Sequence, residues 1–358
     1  MNHDTPLSPR PLRHLSDVQQ RVLTAAQLRS QGMSTADINA RCRPGGPWQQ
    51  LLPGVFLLRP GPATGEERLH AVLTYAARSP VTEQTEQPVV PAQPGAREPH
   101  APGTPSAPQR YADAMITGLA ALALHRFSSA PPLLSLDRID VLVPRLRRLR
   151  SASCVRIVRA PGMPKPMQIA GIPVAPVPRA LADAVAGLTD AGAVRRLLTE
   201  AVRGGHCEPA AVVRELTQAR LLSRPHVVDA VDSLLAEGRA IAEDRLYRMV
   251  TEHGLPDPVW NVELRLPGGP PLGGLDAYWP DHAVALELDT RTPRQDDDAM
   301  WSEYARKREH LERLGITVVH VTPKKLRDSM EQQATVVRTA LMASGDREPA
   351  AYVVVVPR

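Results

Sequence analysis

Leu69, Val72, Leu73 and Ala76 stand at i, i+3, i+4 and i+7, the spacing of one buried helix face. That helix is expected to end before Pro80. The apolar run from Met115 to Leu124 predicts a second helix, and the β-branched runs Ile139 to Val143 and Val155 to Val158 predict short strands. After Pro178 the pattern is helical again. Val194, Leu197, Leu198, Ala201 and Val202 share a face until Gly204 and Gly205 stop it, and Val227, Val231 and Leu234 mark another helix. Beyond Gly238 the order becomes helix, three strand-like runs, a long charged helix, a strand and a last helix. No fixed period of 20 to 50 residues recurs, which sets solenoids and propellers aside.

Near the amino terminus, Leu23 to Ser30 reads as a short helix, Gly32 and Met33 as a turn, and Ser34 as the cap of a second helix running to about Cys42. Trp48 to Leu52 and Val55 to Leu58, joined by Pro53 and Gly54, predict a β-hairpin. Two helices at that spacing followed by a hairpin make a winged helix-turn-helix, a compact DNA reader. Its second helix would offer Thr35, Asp37, Asn39, Arg41 and Arg43 to bases and phosphates, with Asn39 and Arg41 the better candidates. A small helical cap with a solvated polar face is the alternative.

Length and composition refine this picture. At 358 residues the chain exceeds roughly 100 to 200 residues per domain, so two or three domains are expected. We read residues 1–15 as a polar tail, 16–60 as the winged module, 61–237 as an α+β and helical middle region, and 238–358 as a further domain. Residues 80–110 hold eight prolines and no Phe, Trp or Tyr, a composition expected to stay disordered. Hydrophobic residues are 43% and charged residues 23%, so cores can form elsewhere. No apolar run approaches the roughly 20 residues of a membrane span, and no secretory pattern opens the chain, so a cytoplasmic location is expected. Cys42, Cys154 and Cys207 have neither disulfide-framework nor zinc spacing. The net charge is +5, and of 43 basic residues only Lys165, Lys307, Lys324 and Lys325 are lysine, leaving 39 arginines. Arginine's planar fork suits phosphate. Arg145, Arg147, Arg148 and Arg150 lie between two predicted strands and fit either a solvated turn or a phosphate-facing hairpin.

The strongest chemical signal lies between Glu243 and Leu314. Glu243 shares the apolar helix face of Leu246, Met249 and Val250, so its carboxylate is expected to point toward an underlying sheet. Leu272 to Tyr278 and His282 to Asp289 predict an antiparallel hairpin. In the second run Val284, Leu286 and Leu288 take one face, and Ala285, Glu287 and Asp289 the other, beside a strand carrying Asp276. Clustered carboxylates repel unless a cation sits among them, which points to Mg²⁺ with oxygen ligands. No phosphate-binding Gly-rich loop and no dinucleotide fingerprint is present, and Ser153-Cys154 and His206-Cys207 make no credible nucleophile and base.

The run LTAAQLRSQGMSTADINARC with WQQLLPGVFLL resembles the winged-helix domain of AbiEi-type antitoxins and transcriptional regulators, with Phe56 where Tyr is usual. ITGLAALALHRF, IDVLVPR and IPVAPVPRALADAVA are similar to the middle region of the same proteins, and the Pro-rich segment departs as an insertion. GLPDP, LDAYWPDHAVALELD and RKREHLERLGITVVHVT resemble the PD-(D/E)XK nucleases, especially their very-short-patch-repair-like branch, over roughly the last third of the chain. This resemblance implies an αβββαβ restriction-endonuclease-like domain in which Asp276, Glu287 and the Leu288 carbonyl hold Mg²⁺ and Glu243 assists. Asp289 replaces the lysine of that motif and Thr290 the following glycine. Lys307 is expected to supply the missing cation, and Arg306 and Arg308 to meet phosphates. Two functions follow: a DNA-binding, Mg²⁺-dependent endonuclease, or an AbiEi-like repressor and antitoxin, partnered by a cognate toxin, whose nuclease-like end is inert. Neither specifies an oligomeric state.

Overall fold

A computed structural model describes residues 15–78, 111, 113–290, 298–344 and 352–357. The described residues form a mixed α/β protein with three sheets. The chain divides into two compact units, Met1–Gly187 and Leu188–Arg358. The Pro-rich 80–110 segment and residues 1–14 of the expected tail lie outside the described residues.

The first unit opens with α1 (Leu15–Arg21), β1 (Val22–Thr24), α2 (Ala25–Ser30) and α3 (Thr35–Arg41), followed by β2 (Gln49–Leu52) and β3 (Val55–Leu57). Leu23 and Thr24 were expected to be helical, and they are not. Val22, Leu23 and Thr24 pair antiparallel with Leu57, Phe56 and Val55, and Thr24 caps α2 by accepting from the Gln27 amide at 3.1 Å. Three residues are too few for period two to declare a strand, and the distant partner β3 supplies its hydrogen bonds. Leu28, Ile38 and Phe56 bury the helix pair against the hairpin.

α4 (Gly65–Ala77) begins with a capping box, Thr64 to Glu67. Its apolar face, Leu69, Val72, Leu73 and Ala76, is fully buried where α4 meets both the small sheet and β5 (Ile139–Pro144) of a five-stranded sheet. That second sheet runs β6-β5-β4-β8-β7, with β4 at Met115–Thr117, β6 at Val155–Ala160, β7 at Met167–Ile169 and β8 at Ile172–Val174. The expected helix from Met115 therefore splits: β4 comes first, and α5 (Gly118–Leu124) follows. Gly118 permits the break, since its φ is +62° and a Cβ there would sit 2.4 Å from the Asp140 carboxylate. β5 and β6 are parallel, so the arginines between them do not form a hairpin. The connecting segment runs back along β6, the edge strand, and joins it at an antiparallel bridge, Ala152 to Val155. α6 (Val177–Gly187) completes the unit.

The second unit starts with α7 (Ala191–Arg203), α8 (Pro209–Gln218) and α9 (Pro225–Glu252). Gly238, expected to begin the carboxy-terminal domain, lies inside α9 and interrupts nothing. A Cβ there would come 2.4 Å from the Pro209 side chain, so the glycine lets α8 approach α9 closely. The remaining elements are β9 (Val259–Arg265), β10 (Pro271–Trp279), β11 (Val284–Leu288), α10 (Asp298–Arg313), β12 (Thr317–Val321), α11 (Pro323–Asp328), α12 (Met330–Ser344) and β13 (Val354–Pro357). The sheet order is β12-β11-β10-β9-β13, with only β11 and β12 parallel. One core joins α9 and α12 to Val284, Leu286 and Leu288. A second core contains Ala285 and Leu311 of α10, so the expected two faces of β11 bury against different helices.

Candidate functional site in the second unit

The hairpin β10–β11 pairs Ala277 with Leu286, which places Asp276 near the end of β11. There the Leu288 amide donates to Asp276 Oδ2 at 2.6 Å. β9 lies on the other side of β10, and its register puts Asn261 between the paired positions opposite Asp276. Asn261 has φ of +49°, a left-handed conformation that Asn tolerates better than most residues. The ladder changes face at this point. Trp260 and Ala277 belong to the α9 core, while Val262 and Leu275, two residues away along their strands, belong to the α10 core. A pocket of about 490 Å³ lies here, lined by Asn261, Asp276, Glu287, Leu288, Asp289 and Lys307 among others.

Each carboxylate in this region already has a partner. Glu287, only 5% exposed, is bound by the Lys307 ammonium and has His320 Nδ1 at 3.4 Å from Oε2. His320 arrives because β12 runs parallel to β11 with Glu287 opposite it. Lys307 also donates to the Gly274 carbonyl at 2.7 Å. A Cβ on Gly273 would lie 2.6 Å from the Lys307 side chain, so that glycine gives the lysine room. Arg239 of α9 donates to Asp276 Oδ1 and to Glu243 Oε1, both at 2.7 Å. Glu243 is therefore turned to a neighbour one helical turn away and is not among the pocket-lining residues.

The structure thus brings together Asp276, Glu287, Leu288, Asp289 and Lys307, and joins Glu243 to them through Arg239. Lys307 and Leu311 are one turn apart on the inward side of α10, whereas Arg306 and Arg308 are exposed. Arg308 pairs with Glu312 at 2.8 Å. The cations that meet the acids are Arg239 and Lys307. Among the described residues, no three His, Cys, Asp or Glu side chains form a group that could hold one metal ion.

Sequence reasoning missed Arg239, His320 and Asn261. Arg239 stands four residues before Glu243, a helix pairing that could have been read. His320 required the β11–β12 register, and Asn261 left no local signal.

In the first unit, Thr35, Asn39, Arg41 and Arg43 are all exposed on or just beyond α3, while Ile38 is buried. The Arg41 guanidinium lies 4.8 Å from the Trp48 ring centroid. Asp37 accepts from Ser34 Oγ at 2.6 Å, so it serves the helix cap. Burial pushes the Cys207 thiol up to about 12, which leaves almost no thiolate near neutrality.

Compared with known protein families and with curated proteins, the chain matches none. No helix among the described residues is long and apolar enough to cross a membrane.

Proposed function

We propose that the chain binds DNA through residues 16–60 as a winged helix-turn-helix and that its second unit is a Mg²⁺-dependent endonuclease of the PD-(D/E)XK kind. The observation that carries the nuclease reading is the meeting of Asp276, Glu287 and Lys307 in one pocket. Two acids and a lysine are what the nuclease motif assembles, with the lysine here delivered by α10 because Asp289 occupies the strand position.

The donor set fits a hydrated Mg²⁺, which takes one or two carboxylates and keeps several waters or phosphate oxygens. Asp276, Glu287 and the Leu288 carbonyl would hold it. Bound there, the ion would neutralise charge on a phosphodiester and activate water. The Lys307 ammonium stands beside Glu287, where it can stabilise developing negative charge on a phosphate. Asn39 and Arg41 would read base edges, and Thr35 and Arg43 would hold phosphates.

A second reading has its own support. Arg239 bridges Asp276 and Glu243, and Lys307 neutralises Glu287, so the acids are balanced without a metal. On that reading the chain is an AbiEi-like repressor and antitoxin with an inert nuclease-like unit and a cognate toxin as partner. Plasmid cleavage by purified protein with Mg²⁺, Mn²⁺ or EDTA separates the two. The nuclease reading expects metal-dependent cutting that Glu287→Ala and Asp276→Ala abolish while duplex binding persists. DNA binding without cutting in any metal selects the repressor.

A further inference from the structure

We propose that Arg145, Arg148 and Arg150 form a strip that grips the phosphate backbone of duplex DNA beside the amino-terminal module. The inference rests on the DNA-binding reading above and names a second contact surface for it.

Between Asp140 and Asp183 the chain has eight basic residues and no acidic one. Lys165 lies exposed between β6 and β7, and the structure divides the seven arginines by role. Arg156 is held by Asp140 and Arg179 by Asp183. Arg147 and Arg159 turn their guanidinium groups onto backbone carbonyls: Arg147 onto Ala76 at 2.6 Å and Arg78 at 2.9 Å, Arg159 onto Arg147 at 3.3 Å and onto Leu149. Arg145, Arg148 and Arg150 are left exposed, and among the described residues no acidic side chain forms a salt bridge with them. Two arginines therefore fix the segment while three others face solvent from it.

The segment is also fixed in a particular place. The Arg78 guanidinium donates to the Pro53 carbonyl at the tip of the β2–β3 hairpin, and the Arg78 carbonyl in turn accepts from Arg147. The Tyr75 hydroxyl donates to the Arg150 carbonyl at 2.9 Å, and the Arg78 guanidinium stacks 5.5 Å from the Tyr75 ring centroid. A chain of contacts thus runs from the hairpin tip through the end of α4 to the arginine strip.

The hairpin itself is short. Its two strands are joined by two residues, and the Gly54 carbonyl accepts from Ala25, the first residue of α2, at 3.0 Å. The tip is thereby tied down at the start of α2 and does not project as a long wing would. Contacts to flanking phosphates then need another source, and the strip supplies three arginines next to that tip. Leu146, 91% exposed, lies among them where it can cover sugar carbons. Backbone gripping of this kind is electrostatic and indifferent to sequence, and each neutralised phosphate releases counterions.

The test is fluorescence anisotropy of the full chain on a mixed-sequence duplex of about three helical turns, from about 50 to about 200 mM salt. The triple variant Arg145→Ala, Arg148→Ala, Arg150→Ala is expected to weaken binding and to reduce the slope of log K against log salt by about 2 to 3, at roughly 0.9 per lost phosphate contact. The corresponding triple lysine variant should keep most of the slope. An unchanged thermal melt shows that the fold survives, since Arg147 and Arg159 remain. If wild type binds and Asn39→Ala with Arg41→Ala weakens it, while the alanine triple keeps the wild-type slope, the strip is overturned and the DNA reading stands. If wild type binds no duplex at about 50 mM salt, the parent reading fails as well. Equal loss of binding to duplex and to polyglutamate would replace phosphate with a merely acidic partner and overturn the proposal.

Discussion

Glu67 shows how a single side chain can tie a helix start to its surroundings. It is 1% exposed and closes the α4 capping box with Thr64, and it takes the guanidinium of Arg59. Burial works to raise its carboxyl, but hydrogen bonds from Arg59 and Thr64 outweigh that and hold it below the usual carboxylate range. A depressed folded value means that its stabilisation is fully present above the unfolded value near 4.3 and is lost as pH falls through the lower folded value. Glu67→Gln is expected to cost about 1 to 3 kcal/mol near neutral pH and to flatten the acid side of the stability profile. Urea melts at neutral and acid pH check this. A variant as stable as wild type near neutrality would contradict it. This residue was open to reading, because Thr64 and Glu67 stand at capping-box spacing. Arg59 as its partner was not, since eight residues and a chain reversal separate the two.

At the scale of elements, glycine positions decide how closely neighbours approach. Gly238 looks like a helix terminator from sequence alone, yet it sits in the middle of α9 with Pro209 of α8 against it. In an exposed helix, Gly→Ala gains about 1 kcal/mol of propensity. Here the added methyl meets a ring, so Gly238→Ala is expected to be net destabilising, by about 1 to 3 kcal/mol in a chemical melt. A stabilised variant would show that α8 moves aside at little cost. The three-residue strands β1 and β4 were invisible for a related reason. Their hydrogen bonds come from β3 and from β5 and β8, far along the chain. By contrast, β2, β3, β10 and β11 were readable, because adjacent runs joined by short turns form their pairs locally.

On the scale of the whole molecule, the division falls at Gly187 and Leu188, about fifty residues before the expected domain start. α7 and α8 belong with α9, whose length carries Val227, Val231 and Leu234 in one stretch and Leu246 and Met249 in the next. A fragment of residues 188–358 is therefore expected to unfold cooperatively on its own, whereas one of 238–358 would begin inside α9, lack the packed part of that helix and melt broadly. Circular dichroism melts of both fragments test this, and equal cooperativity would place the boundary nearer 238.

The sequence by itself determined most of the longer elements, the helix pair with its hairpin, and the placing of Asp276 and Glu287 on neighbouring strands with Asp289 just beyond, because periodicity, capping and turn chemistry are local. Only the tertiary structure decided which charges meet. Arg239 reaches Asp276 from α9, Lys307 reaches Glu287 from α10, and His320 arrives through a parallel register. It also decided between the two readings of the arginine segment, which is no hairpin but runs back along the edge strand β6. The reason is physical: an ion pair or a strand pair depends on distances in space, and chain reversals between distant segments set those distances.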